Sequence, residues 1–402
     1  MMRGKRLIVL TSDLPYPPTY GHKVDQYHRW RAFAARGWRL RLICWRSPLD
    51  APASEADADV LRDVFEAIDI LPIAHSSIAF ARRLARLWRH PSHVAARVPD
   101  AATQARLIAD ARAFGPAAII LDGIYGGVGG EGLARACGVP VIVRGHNIEH
   151  RYFEQQASAA RDLRSRVAWS IARIGLKRYE EGLIRRAAWT FDISADDVAY
   201  WRRRGIARIS WAPTVFSGDR AVTILPPAEK RWDVAYIGNL RLPNNLRGIS
   251  WFISDVMPHL RALRPGIRCA FAGADPSPAA LALFAGAPDI EVIANAPSAD
   301  DILANGRVLI NPILSGSGVN VKSIDMLRYD APIVTTSVGA QGFGPEVAGQ
   351  FRIHDDAAHF ARAVIAALAA PYPPAGRSGV RNLFGEDGIT EQSALIARVA
   401  GV

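Results

Sequence analysis

Cysteine is scarce in this 402-residue chain: Cys44, Cys137 and Cys269 are the only three. They lie far apart, without a C-x-x-C pair or a His-rich metal spacing, which excludes a disulfide framework and a structural zinc site. Each reads as a small apolar core residue. Apolar runs are short as well. None approaches the ~18 residues that a membrane-spanning helix needs, and the Leu7–Thr11 run is too short for the core of a secretion signal. The chain is therefore predicted to stay in the cytoplasm. No G-x-G-x-x-G follows the first strand-like segment, which argues against a dinucleotide oxidoreductase. Acidic residues are deficient in one half only. Through residue 212 there are 33 Lys+Arg against 21 Asp+Glu, which leaves 16 against 17 beyond it. A basic excess confined to the first half suits an anionic partner there, and phospholipid, nucleic acid or a phosphorylated acceptor would each qualify.

Apolar residues make up 50% of the chain and charged residues 22%, so a folded protein with two cores is expected rather than a disordered one. The richest stretch is Ile310 to Phe343, INPILSGSGVNVKSIDMLRYDAPIVTTSVGAQGF. It reads as strand end, small-residue loop, helix, Pro-containing break and second strand. Gly316, Ser317, Gly318 and Val319 stand where the helix is predicted to begin. Free amides and missing side chains there would admit a phosphate. Lys322 and Asp325, three residues apart, would share a helix face, offering an ammonium and a carboxylate to a ligand that carries phosphates and a diol. An ordinary turn followed by a solvated ion pair has the same text.

The order of this segment resembles the nucleotide-sugar half of the GT-B glycosyltransferases, especially the retaining group known as family 4. Lys322-Ser323-Ile324-Asp325, Asp330 to Thr336 and Gly339 to Gly342 follow that family's spacing. The family's acidic pair is two Glu seven residues apart. Here Asp325 holds the second place and Ser317 the first, so one carboxylate is missing. The resemblance implies an α/β fold of two Rossmann-like, doubly wound domains with an interdomain cleft. It implies a nucleotide-diphosphate sugar as donor substrate, with no other cofactor and no metal. Asp325 would bind ribose.

Taken in order, Arg6–Thr11 reads as a buried strand, Asp25–Arg36 as a helix and Arg39–Trp45 as the next strand. The Pro-rich loop before that helix ends in Gly21 and His22, outside the carboxyl end of a strand, where open α/β sheets bind ligands. Gly21 also has the bland reading of a turn glycine. On a helical wheel, the segment from Ile78 to Arg89 separates Ile78, Ala81, Leu84, Ala85, Leu87 and Trp88 from Arg82, Arg83, Arg86 and Arg89. This suits either a solvated basic face or a helix lying among lipid headgroups. A second Arg-rich region runs from Arg161 to Arg186.

Ala117–Asp122 and Val139–Arg144 are two further strands, and the second leads into Gly145-His146-Asn147-Ile148-Glu149. The resemblance implies that His146 faces the donor sugar, with Asn147 and Glu149 nearby. Phe191–Ser194 reads as the last strand of this half. Residues 1–212 form the expected acceptor domain, 213–231 a Pro-rich linker, 232–380 the nucleotide-sugar domain, and 381–402 a tail that would cross back. Strands are predicted at Val234–Ile237, Cys269–Ala272, Glu291–Ile293, Val308–Ile310 and Ile333–Thr336. The loop Gly238 to Asn245 resembles the family's first donor loop. Asn244 replaces its Lys there, and Arg241 is the cation offered to the diphosphate. Ala296 to Asp301 is a helix start where the base would sit.

The expected function is retaining, metal-independent sugar transfer to a lipid-linked or saccharide acceptor, at the inner face of a membrane and with no nucleic acid involved. Two other classes stand beside it. One is a sugar-nucleotide epimerase or hydrolase on the same fold, and the other a non-enzymatic basic binding protein.

Overall fold

A computed structural model of the chain describes residues 4–18, 21–46, 55–73, 77–92, 97–160, 162–216, 222–274, 276–316, 318–370 and 374–402. It divides into two compact units, 1–215 with 386–402, and 216–385. Ser317 lies outside the described residues.

The first unit is built on seven strands: β1 (Arg6–Thr11), β2 (Arg39–Arg46), β3 (Ala67–Pro72), β4 (Ala118–Asp122), β5 (Val141–Gly145), β6 (Trp189–Asp192) and β7 (Ile209–Trp211). Their order is β3-β2-β1-β4-β5-β6-β7, and every pairing is parallel. Parallel pairs need crossovers that bury both sheet faces, so the strands are apolar almost throughout. β1 shows the division. Leu7 and Val9 pack into one core with Leu40, Leu42 and Ile120, while Ile8 and Leu10 pack into the other with Ile43, Ile119 and Leu121. That split is the two-residue period of a strand covered on both sides.

Two predictions are corrected here. β6 is not the last strand, since the sheet continues through β7. The helix predicted from Asp25 is Gly21–Ala35, so Gly21 and His22 lie in its first turn. The helix Glu386–Ala400 completes this unit. Ile389 and Ile396 join its core, and the Trp38 indole donates to Ser393 Oγ at 2.8 Å.

The second unit repeats the same grammar with β8 (Trp232–Ile237), β9 (Cys269–Gly273), β10 (Ile290–Ala294), β11 (Gly306–Asn311), β12 (Ile333–Thr335) and β13 (Phe351–Ile353), in the order β10-β9-β8-β11-β12-β13, all parallel. β13 was not predicted. It has three residues and two of them are exposed, so it carries almost no periodic signal. Val234, Tyr236, Val308, Ile310 and Val334 anchor the core against the helix Ala357–Leu368 through Phe360 and Val364. In each sheet the strand order reverses between the first and fourth strands. Open α/β sheets bind ligands at the carboxyl edge beside such a switch point.

Candidate functional sites

At the switch point of the second unit, the loops after β8 and β11 meet. Lys322 lies in the short helix Val321–Met326. It is half-buried, with its ammonium turned inward, and it donates to Asn245 Oδ1 at 2.8 Å and to the Tyr236 hydroxyl at 3.2 Å. The ammonium also stands 5.1 Å from the centre of the Tyr236 ring. Both acceptors are neutral. Burial depresses the Lys322 pKa to about 8, because no carboxylate offsets the cost of desolvating the charge. Asn245 is fixed in turn by donating to the Asn239 carbonyl at 2.8 Å.

Gly238 is required here for space. A Cβ at that position would come within 2.4 Å of the Tyr236 hydroxyl that receives Lys322. Gly273 is needed for the same turn, since its Cβ would meet the Gly238 carbonyl oxygen at 1.8 Å.

The glycine-rich loop differs from its prediction in one respect. The helix begins at Val321 with Asn320 as its cap residue, so Gly316, Gly318 and Val319 belong to the loop that precedes it. Gly318 has φ +71, a left-handed conformation that favours glycine. Side chains had suggested an earlier start, but the positive φ at Gly318 interrupts helical geometry and delays it. Asp325 is half-buried on the same short helix as Lys322.

Arg241 is exposed, and its amide donates to Asn239 Oδ1. The guanidinium tied to the glycine-rich loop is that of Arg247, which donates to Ser315 Oγ at 3.0 Å, while Ser315 donates to Asn244 Oδ1 at 3.2 Å. Arg247 was missed in the sequence, although it lies one turn beyond Asn244 on the helix Pro243–Trp251 and therefore on the same face. The expected base region holds Ser298, which caps the helix Ala299–Ala304. Asp300 there accepts from Arg328 at 3.2 Å and from the Tyr329 hydroxyl. Two larger cavities of about 460 Å³ open at the opposite, amino ends of the strands, beside Pro332 and Phe351 and beside Trp232 and Asp289. Chemistry rather than volume locates the site.

In the first unit, the ends of β4 and β5 carry a buried ionic network. Arg144 Nε donates to Asp122 Oδ1 at 2.8 Å, and its Nη1 donates to Asp25 Oδ2. Asp25 also accepts from Arg29 and from the Val215 amide, and Trp30 Nε1 donates to Asp122 Oδ2 at 2.8 Å. Burial alone would raise both carboxyls, but the guanidiniums outweigh it. Asp25 is held at about 2, and Asp122 well below the usual carboxylate range.

His146, just past β5, shares a hydrogen bond of 2.7 Å between Nε2 and Asp122 Oδ1. Burial, and then the Arg144 charge, lower its pKa, so the imidazole is neutral near pH 7. Its Nε2 then carries the proton toward Asp122, which leaves Nδ1 as an acceptor.

Asn147 is half-buried in the following bend. Glu149 opens the helix Glu149–Ala159 and is pushed up to about 8 by burial and by the neighbouring Glu180 charge. It therefore holds its proton near neutrality. The Tyr125 hydroxyl donates to it at 3.4 Å. Glu180 caps this helix from outside, accepting from the Glu149 and His150 amides at 2.8 and 3.1 Å. Nothing local in the sequence signals that cap, because its partners are some 30 residues away. His22 is exposed and pairs with Asp13 at 3.2 Å.

Residues 231–370 match the family model described as glycosyl transferases group 1. The "uncharacterized 44.6 kDa protein in cps region" of Klebsiella pneumoniae is 32% identical over 142 residues, a match that spans 33% of this chain and 36% of that protein. Among solved structures, the lipopolysaccharide outer core galactosyltransferase WaaB superposes with a TM-score of 0.62 at 12% identity, over 99% of this chain and 100% of that one. Anabaena HepE in complex with UDP-glucose gives 0.59 at 11% identity, over 98% and 99%. The two parallel sheets make the GT-B fold.

Proposed function

We infer that this chain, whose residues 231–370 form a glycosyl transferases group 1 domain on a GT-B fold, transfers a sugar from a nucleotide-diphosphate donor to an acceptor. The observation that carries this reading is Lys322: a buried ammonium with two neutral acceptors, at the switch point of the second sheet and beside a glycine-rich loop. An uncompensated cation in that setting is poised to receive a diphosphate. The UDP-glucose bound by HepE supports a donor of this class.

The reaction breaks the bond between the anomeric carbon and the diphosphate oxygen. Lys322 and Arg247 meet the charge that develops on the leaving oxygens, and Asp325 binds the ribose. The acceptor oxygen forms the new bond on the side the diphosphate leaves, so configuration is retained, and its proton passes to the departing phosphate. His146 is the first unit's proposed contact with the sugar. Because two side-chain cations serve the diphosphate, the transfer is proposed to need no metal.

The acceptor is proposed to be lipid-linked, in the synthesis of a surface polysaccharide. Ile78, Trp88, Leu163, Val167 and Ile174 are exposed large apolar residues, interleaved with arginines in the sequence. The turn near Pro91 touches Gly175, where a Cβ would sit 1.7 Å from the Pro91 carbonyl oxygen. The two basic, apolar segments are thus neighbours, as docking on anionic headgroups requires. No described helix is long and apolar enough to cross a membrane.

The test is incubation of the chain with labelled nucleotide-sugars and a cell-envelope lipid extract, with and without EDTA. Label moving into lipid in both conditions is expected. Loss with EDTA and rescue by manganese would overturn the diphosphate site, and release of free sugar alone would make the chain a hydrolase.

A further inference from the structure

Three of the four arginines in the segment from Ile78 to Arg89 also line a cavity. Arg82, Arg83 and Arg86, from the helix Ser77–Ala85 and the turn after it, converge with Arg97 on a hollow of about 240 Å³. Its walls are Trp45, at the end of β2, and Leu71, at the end of β3, so the cavity opens at the carboxyl edge of the first sheet. Among the described residues that line it, Asp100 is the only acid, and that carboxylate is committed. It accepts from the Thr103 amide and from the Thr103 hydroxyl, both at 2.9 Å, as the cap of the helix Ala101–Phe114. Among the described residues, Arg82, Arg86 and Arg97 form no ion pair, whereas Arg41 and Arg106 of the same unit are each paired with both Asp69 and Asp110.

Arg97 is the innermost of the four. It stacks over the Tyr125 ring at 4.9 Å, and Tyr125 reaches Glu149. Burial pulls down the pKa of Arg83 and Arg97, and the Arg83 charge lowers Arg97 further, against the pull of Tyr125 and Asp13. Arg82, Arg86 and Arg97, which form no ion pair among the described residues, gather with Arg83 in a concave site and hold a charge that an anion would balance. Their planar forks suit phosphate oxygens, and the apolar wall suits the carbon beyond them.

We propose that this cavity binds the phosphate or diphosphate ester of the acceptor. The proposal rests on the sugar-transfer reading for the word acceptor, but the site itself can be tested apart from it. The source is either a lipid-borne diphosphate or a soluble sugar phosphate.

Titration calorimetry on the full chain, with saturating UDP added to fill the second unit's site, would use farnesyl diphosphate, pyrophosphate and glucose 1-phosphate as probes. Binding that persists in UDP is expected. It should fall at least tenfold in Arg83→Gln/Arg86→Gln and stay unchanged in Arg89→Gln, which does not line the cavity. If the double variant melts early, the exposed Arg82→Gln should show the same direction of loss at the wild-type melting temperature. Farnesyl diphosphate binding tighter than pyrophosphate identifies the lipid source, and glucose 1-phosphate binding tightest identifies the soluble one. No probe binding in UDP, or equal loss in Arg89→Gln, overturns the proposal. Failure of UDP itself to bind would defeat the donor reading and leave the cavity to be judged by the same probes alone.

Discussion

The two switch points of this chain handle buried charge in opposite ways. In the first unit, Asp25, Arg29, Asp122 and Arg144 neutralise one another, and His146 is bound into the same network. In the second, Lys322 is held by an amide oxygen and a phenol. A closed network has little charge to offer a ligand. Its role is to hold strand ends and an imidazole in place. A cation desolvated against neutral groups is expensive to bury and ready to be paid in by an anion. The same fold therefore uses one switch point for rigidity and the other for charge.

The largest effect that separates them should be on stability. Arg144→Met leaves buried Asp122 without a guanidinium and Asp25 with Arg29 alone, and should cost about 3–5 kcal/mol, read by urea unfolding. Lys322→Met should cost nothing or raise stability. Equal losses in the two variants would erase the distinction.

Function should show the reverse ranking. Lys322→Met is expected to lower turnover by about 10²–10³, the usual effect of removing one charge-stabilising donor, with the fold intact by circular dichroism. The pH dependence sharpens this. The folded pKa of Lys322 is about 8 against an ordinary 10.5. Between those values the unfolded chain binds the extra proton, so this group's contribution to stability rises with pH across that window. UDP binding requires the protonated ammonium and should weaken as pH climbs past about 8. Thermal melts with and without UDP from pH 7 to 10 should show both trends in the wild type and neither in Lys322→Met.

Arg247 should give the smallest effect. It is exposed and acts through the Ser315 bridge, so Arg247→Gln is expected to weaken UDP binding by about three- to tenfold and to leave melting unchanged. An unchanged UDP affinity would return the second cation's role to Arg241.

Much of this was legible before the structure, for identifiable reasons. Continuous apolar strands announced two parallel sheets, because burial on both faces leaves no room for polar alternation. The Gly-rich loop and Lys322 were legible as a local pattern. Local pattern left open what a neighbour decided. The arginines around residue 85 divide well on a wheel and Ile78 and Trp88 are exposed, but only the walls supplied by β2 and β3 make Arg82, Arg83 and Arg86 the lining of a cavity.

The sequence by itself determined the architecture, the strand that each loop follows, the basic excess of residues 1–212 and the candidacy of Lys322 and His146, since all of these depend on periodicity, composition and short spacings. Only the tertiary structure decided which charges are spent. That Asp122 takes both Arg144 and His146, that Glu180 caps a helix starting 31 residues before it, and that Arg247 rather than Arg241 reaches the glycine-rich loop each require distant segments to meet at strand ends. Electrostatic roles follow from burial and from the partner within a few ångströms, and neither is written in the residue's own neighbourhood along the chain.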